Sequence, residues 1–166
     1  VMLNNSMATY KIAGPQVSIE REVLFQIYNL IGYGSNAGGT FPTGGSMSNF
    51  MSLVMARDKI DSKIKDKGVF NKLVAYTSEN AHYSISKNAS LSGIGRENVR
   101  YIKSDQYGRL NILEFVNQVK LDKSKGLVPF YLNATAGTTV LGAFDSVSNL
   151  APICKQNNIW LHLDGA

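Results

Sequence analysis

Ile159-Trp160-Leu161-His162-Leu163-Asp164-Gly165-Ala166 is an apolar run that ends on an acid, a glycine and an alanine. Residues 159–163 read as a strand, and Asp164 stands at its tip. A carboxylate on so apolar a strand is costly to bury unless something pairs with it. Working back from this stretch, residues 146–157 carry Val147, Leu150, Ala151 and Cys154 along one side of a helix. Residues 127–132 form an apolar run of strand type. Before them, Asn111 and Glu114 have the spacing of a capping box, opening a helix with Ile112, Phe115, Val116 and Val119 that ends near Gly126. Residues 99–102 and 73–76 read as two further strands, with a short helix over 82–91 between them. Residues 47–66 place Met47, Met51, Val54 and Met55 at helical spacing and meet a stop at Gly68. Residues 19–31 read as a helix of a separate N-terminal segment.

Strands alternating with helices predict an α/β fold, a mainly parallel sheet with helices on both faces. Ligands of such sheets bind beyond the carboxyl ends of the strands. That rule selects the segments after Tyr76, Leu132 and Leu163, where the unusual polar residues lie.

The chain has 166 residues, 44% of them hydrophobic, enough to bury a core of ordinary size. No apolar run is long enough to span a bilayer, and residues 1–10 lack the pattern of a secretory signal. One cysteine, Cys154, excludes an internal disulfide framework and reads as core; a cytoplasmic setting is expected. The net charge of +5 arises largely from lysines between 59 and 72 and between 120 and 125, interleaved with Asp58, Asp61, Asp66 and Asp122. Such mixing reads as solvated helix faces, so neither nucleic acid nor membrane is expected as a partner.

Four constellations carry chemistry. Thr43-Gly44-Gly45-Ser46-Met47-Ser48-Asn49 is a glycine-rich turn opening into a helix. Its first-turn N–H groups and the helix dipole suit a phosphate, with the Ser46 or Ser48 hydroxyl adding hydrogen bonds. A serine N-cap with no ligand accounts for the same residues, and no lysine follows to make a Walker motif. Asp164 could pair with a pyridinium nitrogen and keep it protonated, or cap a following helix, or bind a metal. His162 shares its strand face and reads as structural. In Thr77-Ser78-Glu79-Asn80-Ala81-His82-Tyr83-Ser84, His82 could lie flat on a cofactor ring or simply start a helix. Asn133-Ala134-Thr135-Ala136-Gly137-Thr138-Thr139 supplies small residues and hydroxyls at a third strand end.

Taken in order, these motifs resemble the pyridoxal-phosphate-dependent amino-acid decarboxylases of group II, which include glutamate and cysteine-sulfinate decarboxylase. The resemblance runs from Tyr10 to Ala166 and extends through Val140-Leu141-Gly142-Ala143-Phe144-Asp145. The family usually has Val-Asp-Ala-Ala where this chain has Leu163-Asp164-Gly165-Ala166, a change that keeps residues small or apolar.

The resemblance implies the aspartate-aminotransferase-type large domain (fold type I), present only in part, and a homodimer. Residues 1–35 would end an N-terminal segment, and 36–166 would form the first half of the cofactor domain. The Schiff-base lysine is expected beyond Ala166, so the fragment alone is expected to be unstable and inactive. The implied cofactor is pyridoxal 5′-phosphate, bound by Ser46, Met47 (through its backbone), Ser48, His82, Thr139 and Asp164. His82 and Asp164 are the catalytic candidates: one stacks on the ring, the other pairs with its nitrogen. No metal is implied. The implied reaction is α-decarboxylation of a small-molecule L-amino acid, with an acidic one (glutamate, cysteine sulfinate or aspartate) favoured. Diaminobutyrate, an aromatic amino acid, a transaminase or desulfurase chemistry, and a non-catalytic dimerisation module remain open. A Rossmann dinucleotide binder fails for want of Gly-x-Gly-x-x-Gly after the first strand.

Overall fold

The computed structural model describes residues 10–34, 36–69 and 72–166; the expectations for residues 1–9 lie outside these. Contacts divide the chain into two compact units, at Thr43/Gly44.

In the first unit, α1 (Tyr10–Ala13) leads into α2 (Pro15–Ile31). The second helix starts four residues before the expected Ile19 because Pro15 sits in its first turn, where a missing N–H costs nothing. Gly32 ends it in the left-handed region, with φ of 78°. Glu20 accepts from the Thr40 hydroxyl at 2.9 Å and from the Phe41 N–H at 3.1 Å, which ties the following segment to the helix.

The second unit runs α3 (Gly45–Ile60), α4 (Ile64–Lys67), β1 (Leu73–Ser78), α5 (Ser84–Leu91), β2 (Val99–Ile102), α6 (Ile112–Ser124), β3 (Val128–Thr135), α7 (Val147–Asn157) and β4 (Trp160–Asp164). The four strands are all parallel, in the order β2-β1-β3-β4. Alternate residues of β1 face opposite sides. Leu73 and Ala75 pack with Leu53, Ala56, Ile85 and Ala89 of α3 and α5. Val74 and Tyr76 pack with Phe115, Val119, Leu150 and Cys154 of α6 and α7. Burial pushes the Cys154 thiol up to about 12, as expected of a core cysteine.

Two expectations are corrected. The helix expected over 47–66 breaks at Asp61, whose backbone is extended (φ −152°) and whose side chain accepts from the Lys63 N–H at 2.9 Å. This local bond competes with helix continuation. A single turn, α4, then follows and stops at Gly68, as read from the sequence. The buried stripe of α3 is also not the methionine stripe. Met47 and Met55 are exposed, and Asn49, Leu53 and Ala56 face inward.

The strands reach further than their apolar runs. β1 continues through Thr77 and Ser78, β3 through Asn133 to Thr135, and β4 to Asp164, and every one of these residues is buried. Cross-strand pairing makes this tolerable, for example the Asn133 amide donating to the Thr77 hydroxyl at 3.2 Å.

Candidate active site

Strand order places the site. From β1 the chain crosses to β2 on one side, then returns past β1 to β3 on the other. The carboxyl ends of β1 and β3 are therefore a topological switch point, where adjacent connections leave in opposite directions and a crevice opens. A cleft of about 360 Å³ lies there, within the size range of small-molecule sites. Its walls are the start of α3 and the segments that follow β1, β3 and β4.

Ser46, His82, Thr139 and Asp164 all line this cleft. Met47 and Ser48 do not, among the described residues. The Met47 and Ser48 N–H groups both return to the Gly44 carbonyl, at 3.0 and 3.1 Å, and the Ser48 hydroxyl donates to the same oxygen at 3.4 Å. The α3 N-cap is Gly44, with no side-chain cap, so a capping serine does not explain this turn. Its backbone (φ 124°, ψ 166°) is one that side chains rarely adopt. The next residue needs glycine for space: a Cβ on Gly45 would stand 2.6 Å from the Ala166 Cβ. The head of α3 thus lies directly against the segment following β4.

Asp164 is 8% exposed. Its Oδ2 accepts from the Asn49 amide at 2.8 Å and its Oδ1 from the Ala166 N–H at 3.2 Å. Each oxygen keeps a lone pair for a further donor. His82 is half-buried; its Nδ1 accepts from the Ser84 N–H at 3.2 Å, so in the neutral ring the proton sits on Nε2. The Tyr83 ring tilts against it at 4.3 Å between centroids.

Asn49, Asn80, Thr135 and Thr138 also line the cleft and were not singled out as site residues from the sequence. Asn80 braces the loop after β1 by donating to the Ser104 hydroxyl at 2.8 Å. Thr138 accepts from the Ala143 N–H at 3.0 Å and closes the loop after β3. Asn49 lay inside the glycine-rich motif, and its signal was the i, i+4, i+7 spacing with Leu53 and Ala56. Thr135 is held by its backbone N–H, which donates to Asp145 at 2.7 Å, while its buried hydroxyl oxygen has no protein partner.

That orphaned hydroxyl belongs to a residue lining the cleft and suits a polar ligand there. A planar heterocycle with a basic nitrogen and an anionic tail suits the donor set. The Asp164 carboxylate can accept a hydrogen bond from the protonated nitrogen, the Thr135 hydroxyl can meet a ring substituent, and the uncapped head of α3 can meet the anion. Among the described residues no group of three His, Cys, Asp or Glu side chains could hold a metal ion.

Residues 2–166 match the family described as the pyridoxal-dependent decarboxylase conserved domain. The chain is 40% identical over 166 residues to the acidic amino acid decarboxylase GADL1 of Xenopus tropicalis, covering 99% of this chain and 32% of that protein. The crystal structure of mouse CSAD matches with a TM-score of 0.95 and 39% identity, over 98% of this chain and 35% of the other. The glutamate decarboxylase domain of the diaminobutyrate-pyruvate transaminase and L-2,4-diaminobutyrate decarboxylase from Vibrio parahaemolyticus matches with a TM-score of 0.94 and 31% identity, over 98% and 37% of the two chains. The chain therefore spans about a third of the length of these relatives.

Proposed function

The chain belongs to the pyridoxal-dependent decarboxylase family, and from that membership we propose that the protein containing it removes the α-carboxylate of an acidic L-amino acid, releasing carbon dioxide and an amine. The observation that carries this reading is the buried Asp164 carboxylate, held by donors on both oxygens and sharing one cleft with His82 and the head of α3. The 40% identity to an acidic amino acid decarboxylase supports an acidic substrate.

Bound in this cleft, pyridoxal 5′-phosphate supplies the electron sink that takes up the electron pair left as carbon dioxide departs. The chain's own residues hold it. Asp164 would accept a hydrogen bond from the protonated ring nitrogen and so favour the protonated ring. His82 would lie along the face of the ring and fix its tilt. Ser46 at the head of α3 would grip the phosphate, and the Met47 N–H and Ser48 hydroxyl would join it only by giving up their bonds to the Gly44 carbonyl. Thr139 and the Thr135 hydroxyl, which line the same cleft, would stand beside the ring. Residues 36–166 are assigned as the first half of the cofactor domain, with residues 1–35 ending the segment before it.

A homodimer is part of the same proposal, supported by the exposed apolar side chains Val140, Leu141 and Phe144 beside the cleft. A cytoplasmic location is proposed too; no helix is long and apolar enough to cross a membrane among the described residues.

The test uses the full-length protein. It is expected to absorb visible light, to lose that band on borohydride reduction, and to release carbon dioxide from glutamate, cysteine sulfinate or aspartate. A keto acid formed without carbon dioxide would move the reading to a transaminase. No reaction with any amino acid, cofactor bound, would leave a non-catalytic module.

A further inference from the structure

Asn49 is 2% exposed, yet every polar atom of its side chain has a partner. Its Nδ2 donates to Asp164 Oδ2 at 2.8 Å and to the Ser84 hydroxyl at 3.1 Å. Its Oδ1 lies 2.7 Å from His162 Nε2. The direction of each bond follows from chemistry. An ionised carboxylate only accepts, so the amide must present its NH2 to Asp164. The carbonyl oxygen then faces His162, and His162 must donate from Nε2.

Burial holds the His162 imidazole below its ordinary pKa, against the opposing pull of Asp164, so the ring is neutral with its proton on Nε2. The ring is locked in place by Tyr131, stacked at 5.9 Å and 23°. Tyr131 is anchored in turn by a 2.8 Å hydrogen bond between its hydroxyl and that of Ser52, one turn beyond Asn49 on α3. Donors therefore run one way, from His162 through Asn49 to Asp164. His162 does not line the cleft among the described residues.

We propose that Asn49 and His162 are positioning residues that aim the Asp164 carboxylate at the ring nitrogen, with His162 acting through the Asn49 amide. The proposal rests on the cofactor reading above. It gives His162 a task beyond packing: its Nε2–H fixes which way round the amide sits. Without that donor the amide can turn its oxygen toward the carboxylate and push it aside.

Three variants of the full-length protein test this. The dissociation constant for pyridoxal phosphate is measured by titrating the apoprotein and following visible absorbance, with apoprotein melting as the folding control. Asn49→Ala is expected to weaken cofactor binding about ten- to a hundredfold, the loss of one bond to a charged group, and His162→Phe about tenfold, the loss of a neutral bond that acts through Asn49. They are expected to lower kcat with little change in KM for the amino acid. His162→Phe keeps the ring on Tyr131 but loses the donor; His162→Gln loses the ring but keeps an N–H near Nε2. Gln binding the cofactor about tenfold more tightly than Phe is the expected result. Phe equal to or better than Gln means a packing role and overturns the proposal, whatever Asn49→Ala does. Unchanged binding and turnover in Asp164→Ala would instead sink the cofactor reading itself.

Discussion

Thr135 of β3 and Asp164 of β4 are register partners, so two neighbouring parallel strands end at one level. One brings a hydroxyl without a protein partner and the other a buried carboxylate. The level itself is pinned by backbone bonds: the Ala136 N–H donates to the Asp164 carbonyl at 2.7 Å, and Asp145 holds the Thr135 N–H at 2.7 Å. A donor set this fixed costs little reorganisation when charge shifts in a ligand.

Asp164→Ala is expected to lower turnover of the full-length protein by at least about a hundredfold, comparable to losing one preorganised polar group in other active sites. Steady-state carbon dioxide release checks it. Turnover within a few-fold of wild type would remove Asp164 from its proposed role.

Gly44→Ala is expected to destabilise the fold by about 1–3 kcal/mol, because φ of 124° with ψ of 166° is a backbone state that side chains tolerate poorly. Gly45→Ala meets a different obstacle, the Ala166 Cβ at 2.6 Å. It is expected to open the cleft and weaken cofactor binding more than it lowers the melting temperature. Denaturant midpoints and cofactor titrations separate the two.

Asp122 is expected to matter for stability alone. It is 1% exposed and accepts from the Tyr76 hydroxyl at 2.9 Å, Gln118 at 3.1 Å and Arg100 at 3.2 Å. Burial, and then Asp122 itself, push the Tyr76 hydroxyl pKa upward, so this hydroxyl stays a donor. Asp122→Ala should cost about 2–3 kcal/mol by stranding it. Adding Tyr76→Phe should cost less than the sum of the two single changes, which a double-mutant cycle in urea would read.

Stability should fall as the pH drops below about 6.5. His162 has its folded pKa lowered from 6.5, first by burial. Below that value the unfolded chain takes up a proton that the folded chain refuses, so acid favours unfolding until the folded pKa is passed. The groups facing the ring are Asn49, Tyr131 and Asp164, of which Asp164 alone is a charge partner, and it opposes the shift. Melting temperatures at pH 7.5 and 5.5 should differ less in His162→Gln than in wild type; an equal difference would remove His162 as the source.

Much of this was legible in advance. The apolar runs predicted all four strands; a parallel strand covered on both faces must be apolar along its length, as the central β1 and β3 largely are, while the edge strands expose Tyr101 and Leu163. Asn111 was read as a helix start, and its side chain accepts from the Glu114 N–H at 3.2 Å. The strand ends were set short by two or three residues, since Thr77, Ser78, Asn133 and Thr135 look like loop residues until their cross-strand partners are known. The methionines of α3 misled for a related reason. Periodicity reports where apolar side chains recur, and here the inward stripe includes an asparagine.

The sequence by itself determined the alternation of strands and helices, and with it the end of the sheet where a ligand binds, since hydrophobic runs and turn residues act locally. It also placed His82, Thr139 and Asp164 at that end, and they line one cleft with Ser46, which only the family resemblance had joined to them. Only tertiary structure decided that Asn49 is buried between Asp164 and His162, residues more than a hundred positions away. The physical reason is that burial of a polar side chain is settled by the partners that satisfy it, and those partners meet only when α3 packs across the ends of β3 and β4.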